Sequence, residues 1–431
     1  MSRITKEFRI FLSYPREMRI LLITNLVYAL VLPVIDIFVA SYVMRNAKDV
    51  SLVVTYQLAV YTGIPFTFLI NGFLLNRVPI RRLYSLGMLL SGVSMALMMS
   101  TSVISLYGIA IAGLLMGMSF GFFWANRDFL ALSTTDDTNR NYYYGVETFF
   151  YTITYVVVPA VIGWFIESTG TQGWFGGDRN TAYRIVTGVV VALTVVSSVM
   201  VHRGTFVNPP PTRFLYLRFH ALWYKMLVLA ALKGLAQGYF VTAPAMLVMR
   251  LVGQEGTLGT IQAISGIASS LILYIVGRAA RPEHRIYIFF CGLSLFLLGT
   301  IVNAVLFSAF GVIVFMICLT LARPLHDMAY YPIQMRVIDV LSKIEGRNQF
   351  CYIFNHEFGL YLGRFLGCGL FIVTAVFVSD VMALKYALLV VGIVHMFSFW
   401  VARVVLRGVA RAEAGMAIDL DAQVRGLEAT R

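Results

Sequence analysis

Charge is scarce in this chain: Asp, Glu, Lys and Arg make up 13% of 431 residues, against 59% hydrophobic residues. Mean hydropathy is +0.79, a balance that excludes an ordinary water-soluble domain and points to a membrane-embedded one. Cysteine is also rare. Cys291, Cys318, Cys351 and Cys368 all lie in apolar runs, without CxxC spacing or a His/Cys cluster, so neither a disulfide framework nor a metal site is expected. No GxxxxGK[ST] or GxGxxG stretch occurs, and no soluble segment is long enough for a nucleotide-binding domain. No Ser/His/Asp set stands out either, so neither an enzyme nor a bound cofactor is expected. Acidic residues are outnumbered 21 to 34, giving +13. In a soluble domain that excess would suggest nucleic acid, but in a membrane chain it is first a topology signal.

A helix needs about 20 apolar residues to cross roughly 30 Å of hydrocarbon. Twelve such runs lie near 18–43, 52–75, 83–102, 104–132, 142–167, 183–202, 222–250, 257–278, 286–307, 310–336, 350–378 and 381–406. The run from Ile185 to Met200 does not alternate, which excludes barrel strands. The first run stays apolar too long for a signal-peptide core and reads as a retained span. With both termini on one side, twenty-two basic residues fall in the loops and tails of that side and six on the other. The positive-inside rule then makes both termini cytoplasmic, and the basicity needs no nucleic acid.

The longest break, residues 203–221, carries three prolines and divides the chain into two sets of six spans. The expected organisation is a surface-lying amphipathic N-terminus at 1–17 (Ile4, Phe8, Phe11, Leu12), a six-helix bundle at 18–202, a linker at 203–221, a second bundle at 222–406 and a tail at 407–431. The bundles echo each other at offsets of 203 to 207: Val43-Met44-Arg45 with Val248-Met249-Arg250, Gln57 with Gln262, Arg82-Leu83-Tyr84 with Arg285-Ile286-Tyr287, and Arg140-Asn141 with Arg347-Asn348. Because six is even, both bundles enter from the same side, which makes the repeat parallel.

Between the second and third spans stands Gly72-Phe-Leu-Leu-Asn76-Arg77-Val-Pro-Ile-Arg81-Arg82. It resembles the loop signature of the major facilitator superfamily, Gly-x3-Asp-Arg-x-Gly-Arg-Arg, with Asn76 in place of the acid and Pro79 in place of a glycine. Together with twelve spans in a 6+6 parallel repeat, the chain is identified as a member of that family, an all-α polytopic membrane protein of two six-helix bundles. The resemblance implies a secondary transporter whose halves rock about a midplane site, and gating roles for Gly72, Asn76, Arg77, Arg81 and Arg82. A second element similar to that of proton antiporters survives in fragments, Pro159 and Gly163 in the fifth span and Gly359, Gly363 and Gly367 in the eleventh. Close helix packing explains those glycines as well.

An ionised side chain at mid-membrane costs a few kcal/mol or more, so each is a functional candidate facing the bundle interior with a partner. Glu147, Glu357 and Asp36 are the expected proton carriers, because a desolvated acid beside a mobile arginine binds its proton conformation-dependently. Asn126, Arg127, Lys233, Gln237, Asn355, Trp124 and Tyr151 are the expected substrate ligands, and Asp128 and Asp327 join the gate. Arg127 and Asp128 point about 100° apart on one helix, so Glu147 on the next is the expected partner of Arg127. Glu357 and Arg364, seven residues apart, share a face. Each pair can equally be a helix lock. For His326 and His356 a packing role leads over coupling, and for Tyr142, Tyr143 and Tyr144 a membrane-boundary role leads. Pro324 and Pro332 predict a kinked tenth helix. The tail after Arg407 receives no role.

The expectation is a proton-coupled carrier of a small polar or charged organic solute in a bacterial-type inner membrane, monomeric among its lipids, with sodium as the alternative to the proton. The rivals are an exporter or flippase of drugs, amphiphiles or lipids, and a sensor or scaffold that moves nothing.

Overall fold

A computed structural model describes residues 9, 11–100, 105–135, 140–208, 214–279 and 282–428. Most of the expected amphipathic N-terminus, part of the linker and Arg281 lie outside them. Among the described residues twelve helices are long and apolar enough to cross a membrane: α1 Arg16–Ala47, α2 Val50–Leu74, α3 Ile80–Ser100, α4 Leu106–Thr134, α5 Arg140–Thr171, α6 Arg179–Val201, α7 Ala221–Leu251, α8 Glu255–Ala279, α9 Arg285–Leu306, α10 Ala309–Glu345, α11 Gln349–Phe377 and α12 Asp380–Gly415. Helix is the form available to these runs because hydrocarbon offers no partner for an unpaired backbone amide.

Polar caps fix where several helices begin. Asp49, Ser105, Asp178, Ser308 and Asn348 each accept a hydrogen bond from a backbone N–H of the first turn that follows. Proline sits within α2, α5, α7 and α10 without ending them. The tenth helix, expected to kink, runs as one helix through Pro324 and Pro332 to Glu345. In α1, Pro33 is followed by a π turn over Val34–Phe38 that contains Asp36, a local unwinding of the kind that proline invites. Helix also continues beyond the twelfth apolar run, where the Arg336 guanidinium of α10 donates to the Glu413 carboxylate at 2.9 and 2.5 Å.

The two sets of six helices meet along two seams. On one, Thr62 of α2 lies 3.2 Å from the Tyr361 hydroxyl of α11, and the Tyr61 hydroxyl donates to the Gln237 carbonyl of α7 at 3.3 Å. On the other, α5 crosses α8 backbone to backbone: a Cβ on Gly259 would stand 2.2 Å from the Pro159 carbonyl oxygen, and one on Gly163 would stand 2.7 Å from that of Glu255. Only glycine permits that approach. Gly363 of α11 serves the same purpose within the second set, where a Cβ would come 1.8 Å from the Ala231 carbonyl of α7.

Candidate functional site

Among the described residues, polar assemblies interrupt the apolar interior, and four of them hold the buried acids and bases. The first belongs to the first set of helices. Glu147 of α5, 1% exposed, accepts from Asn25 Nδ2 of α1 at 2.7 Å, from Arg127 Nε of α4 at 3.2 Å and from a second Arg127 nitrogen. The Tyr143 hydroxyl stands 3.4 Å away, and the Tyr84 hydroxyl of α3 donates to the Asn25 side-chain carbonyl. The expected pairing of Arg127 with Glu147 is therefore present. The expectation that Arg127 and Asp128 are kept apart is corrected: Arg127 Nη1 lies 2.8 Å from Asp128 Oδ1. The flexible arginine stem reaches round the helix while the short Asp128 side chain, 63% exposed, stays at its edge. Trp124 packs under the same guanidinium at 5.5 Å.

The second assembly fills the other set. Lys233 Nζ of α7 donates to Asp327 Oδ1 of α10 at 2.8 Å and lies 4.1 and 3.8 Å from the ring centres of Tyr330 and Tyr331. His326 Nδ1 is 3.2 Å from the same carboxylate. Arg364 of α11 takes the Gln237 side-chain carbonyl at 2.8 and 3.1 Å as its nearer partner and Glu357 at 3.4 Å as a further one; it also stacks 4.7 Å over Tyr61 of α2. His356 Nε2 pairs with the Tyr330 hydroxyl at 2.6 Å.

The third lies between the sets. Tyr151, Thr152 and Tyr155 of α5 face Phe240 and Pro244 of α7, a run of α8 from Gln262 to Leu273, and α10 from Met316 to Asp327, around a cavity of about 360 Å³. The Tyr155 hydroxyl of α5 donates to Asp36 of α1, which gives that acid a partner within the first set. Arg323 lines the cavity, exposed; no carboxylate lies within ion-pair distance of it among the described residues. Asp36 is close enough for electrostatic interaction with it.

The fourth seals the end of the bundle remote from the termini. Glu255, at the start of α8 and fully buried, pairs with Arg45 at the end of α1 and lies 3.8 Å from Arg179 at the start of α6. The Tyr183 hydroxyl stands 3.4 Å from its carboxylate and 2.9 Å from Ser41. One acid of the second set thus fastens two arginines of the first.

The remaining candidates disperse. Asn126 is fully buried, exchanging amide hydrogen bonds with Asn71 of α2, which puts it in a helix seam away from the cavity. Asn355 accepts from Trp223 Nε1 at 2.7 Å. Tyr151 contributes to the cavity wall. In the signature loop Asn76, Arg77 and Arg82 are exposed, and Arg81 donates to the Gly204 carbonyl at 3.4 Å. A Cβ on Gly72 would meet the Phe214 ring at 2.4 Å. The loop is fastened by Asn208 of the linker, whose side chain accepts from the Ile80 N–H at 2.8 Å and donates to the Leu75 and Val78 carbonyls at 2.9 and 3.1 Å.

Arg323, Glu255, Asn25 and Asn208 are the residues that sequence reasoning passed over as site members. Asn25 carries a readable signal, a lone amide in an apolar run; Arg323 was visible as a charge inside a span. Glu255 and Asn208 sit at helix ends and in loops, where polar residues are ordinary.

The family model of the Major Facilitator Superfamily matches residues 20–348. The uncharacterized protein YqgE of Bacillus subtilis (strain 168) is 20% identical over 378 residues, 85% of each chain. Among solved structures, the POT family transporter PepTSo superposes with a TM-score of 0.69 at 10% identity, over 93% of this chain and 99% of its own. The nucleoside transporter NupG does so with 0.65 at 12%, over 91% and 99%.

Proposed function

Because the chain belongs to the Major Facilitator Superfamily, we propose that it is a secondary transporter moving a small polar or charged organic solute, coupled to protons. The observation that carries this reading is the cavity between α5 of one set and α7, α8 and α10 of the other, with Arg323 and Asp327 in its wall. A site lined by both sets is one that rocking of the sets exposes to each side in turn. With the termini cytoplasmic, the Glu255 cluster lies at the outer face and an aromatic cluster joining Phe68 and Phe129 of the first set to Phe354 and Phe350 of the second lies toward the inner one.

Glu147 leads as proton carrier. Its carboxylate is buried and held by one arginine and neutral donors, so separation of Arg127 from it during rocking changes its proton affinity. Glu357 follows: Arg364 favours Gln237 over it, which leaves the acid less committed. Asp36 is third. A bacterial-type inner membrane, a monomeric state, and the proton in preference to sodium complete the reading.

The exporter or flippase reading ranks second, since the antiporter-like glycines Gly163 and Gly363 are used up in close helix crossings. The test is flux in proteoliposomes of the intact protein. Saturable uptake driven by a pH gradient and lost in Glu147→Gln is the expected result; flux that survives Glu147→Gln and Glu357→Gln together removes the proton assignment. A protein that binds solute but moves none is the scaffold.

A further inference from the structure

Arg323 sits in the middle part of α10, beside Pro324, with its side chain exposed in the cavity. The basic residues of the first two polar assemblies are engaged: Arg127 by Glu147, Lys233 by Asp327, and Arg364 by Gln237 and Glu357. A guanidinium left at mid-membrane without a carboxylate in contact is expensive unless it is hydrated and functional. Its planar fork suits two oxygens of a carboxylate or phosphate.

The wall around it is graded. Arg323 follows Thr320 by three residues on α10, so the two share a helix face. The Thr320 hydroxyl donates to Ser265 of α8 at 2.8 Å, which leaves the Ser265 proton free for another acceptor, and Gln262 lines the cavity one turn before Ser265. Phe240 and Leu319 supply the apolar part. Asp327, the acid in the same wall, is already neutralised by Lys233 at 2.8 Å. Among the charged side chains that line the cavity, Arg323 is therefore the one without an ion-pair partner among the described residues; the acid that interacts with it at longer range, Asp36, is held by the Tyr155 hydroxyl. At about 360 Å³ the space lies near the lower end of the usual range for ligand pockets, roughly 300–1,000 Å³.

We infer that the cavity between α5, α7, α8 and α10 binds a small organic anion, a carboxylate or phosphate monoester, with Arg323 holding its charged group and Gln262 and Ser265 hydrogen-bonding its polar body. The inference rests on the transport reading above for its physiological meaning, and on the geometry alone for binding. It names Arg323 as the residue that sets the charge of the solute.

Thermal unfolding of the full-length protein in detergent tests it, with succinate, lactate and glycerol 3-phosphate set against succinamide, lactamide, glycerol and choline. A ligand that binds the native state raises apparent stability. At least one anion is expected to raise the midpoint by more than about 2 °C where its uncharged analogue does not. The effect disappears in Arg323→Gln and survives in part in Arg323→Lys. If Arg323→Gln does not fold, Gln262→Ala with Ser265→Ala, on the half-exposed part of α8, is expected to halve the shift or more. Stabilisation by the neutral or cationic compounds instead, or by no anion in the set, overturns the assignment, as does an anion effect that Arg323→Gln leaves intact. An anion that binds through Arg323 but never crosses proteoliposomes leaves the site standing and defeats the transport reading. Transport of a cation that Arg323→Gln does not impair does the reverse.

Discussion

Replacing Glu255 by glutamine tests the seal at the end remote from the termini. The carboxylate is fully buried, and the Arg45 and Arg179 side chains that flank it are 23% and 24% exposed. Glutamine keeps the shape and loses the charge, so two guanidinium groups of the first set face a neutral amide. Removing one partner of a buried ion pair costs about 3–5 kcal/mol. Both arginines can recover some hydration through their exposed quarter, which places this case near ~3 kcal/mol. The closed state loses that energy and the open state, where the charges are solvated separately, does not. At about 1.4 kcal/mol per tenfold, the open-to-closed ratio rises roughly 100-fold.

The readout is the distance between spin labels at Lys48 and Gln254, two exposed positions on opposite sides of the seal, measured by double electron–electron resonance with the exposed Cys291 changed to serine. One short distance is expected in the parent and a second, longer population in Glu255→Gln. Asp178→Asn, which removes an exposed carboxylate while keeping a side chain able to cap α6, serves as the control and leaves the distribution unchanged. An unaltered distribution in Glu255→Gln refutes the argument that this cluster holds the two sets together.

Three further outcomes follow from packing and polar fastening. Gly259→Val places side-chain atoms where even a Cβ would stand 2.2 Å from the Pro159 carbonyl; it should lengthen the same spin-label distance or lower the unfolding midpoint by several degrees, whereas Gly188→Val, with open space around it, should do neither. Asn208→Ala removes three hydrogen bonds from the α2–α3 loop and, at about 0.5–1.5 kcal/mol each, should cost roughly 2–3 kcal/mol, read as a lower midpoint and faster proteolysis of that loop. Glu147→Ala leaves the Arg127 guanidinium without its buried partner; a loss of about 3–5 kcal/mol is expected, and the double change Glu147→Ala with Arg127→Met should recover most of it in a thermal melt.

Helix number, order and approximate extent were legible because lipid imposes one rule on every span, a continuous apolar run of sufficient length. The family model and the twelve apolar helices bear out that reading. Partnerships between neighbouring helices of one set were partly legible: Glu147 reaches Arg127 because α4 and α5 are joined by a short loop. What the sequence concealed is the lateral arrangement of helices distant in the chain. Nothing in the run around Asp36 announces Tyr155, 119 residues away, nor does Arg45 announce Glu255, 210 residues away. Side-chain reach misled in the other direction. Helical geometry separates the Arg127 and Asp128 Cβ directions, yet a four-torsion side chain closes the gap. Asn126 shows the remaining ambiguity, since a buried amide satisfies itself as well against Asn71 across a seam as against a solute.

The two halves of the sequence repeat their backbone but not their chemistry. At offsets of 203 to 207, Arg127 corresponds to the stretch Tyr330 to Gln334 and Glu147 to Phe350 to Phe354; going back, Lys233 corresponds to Leu26 to Leu30, Arg323 to Met116 to Phe120, Asp327 to Phe120 to Trp124, and Arg364 to Val157 to Val161. None of those stretches contains a charged residue, whereas the echoes that survive lie mainly at helix ends and loops, as with Arg82 and Arg285. Helix ends are constrained by the membrane boundary, which both halves share, so similar residues persist there. On the proposed reading, interior charge is constrained by the solute and the coupling ion, which meet each half differently. On the same reading, a locked Glu147 cluster in one half and an Arg323 without an ion-pair partner in the other give the halves separate tasks, proton binding and anion binding. A chimera carrying two copies of residues 18–202 would therefore insert as twelve helices and bind no anion. Anion-dependent stabilisation of such a chimera would show instead that the asymmetry carries no function.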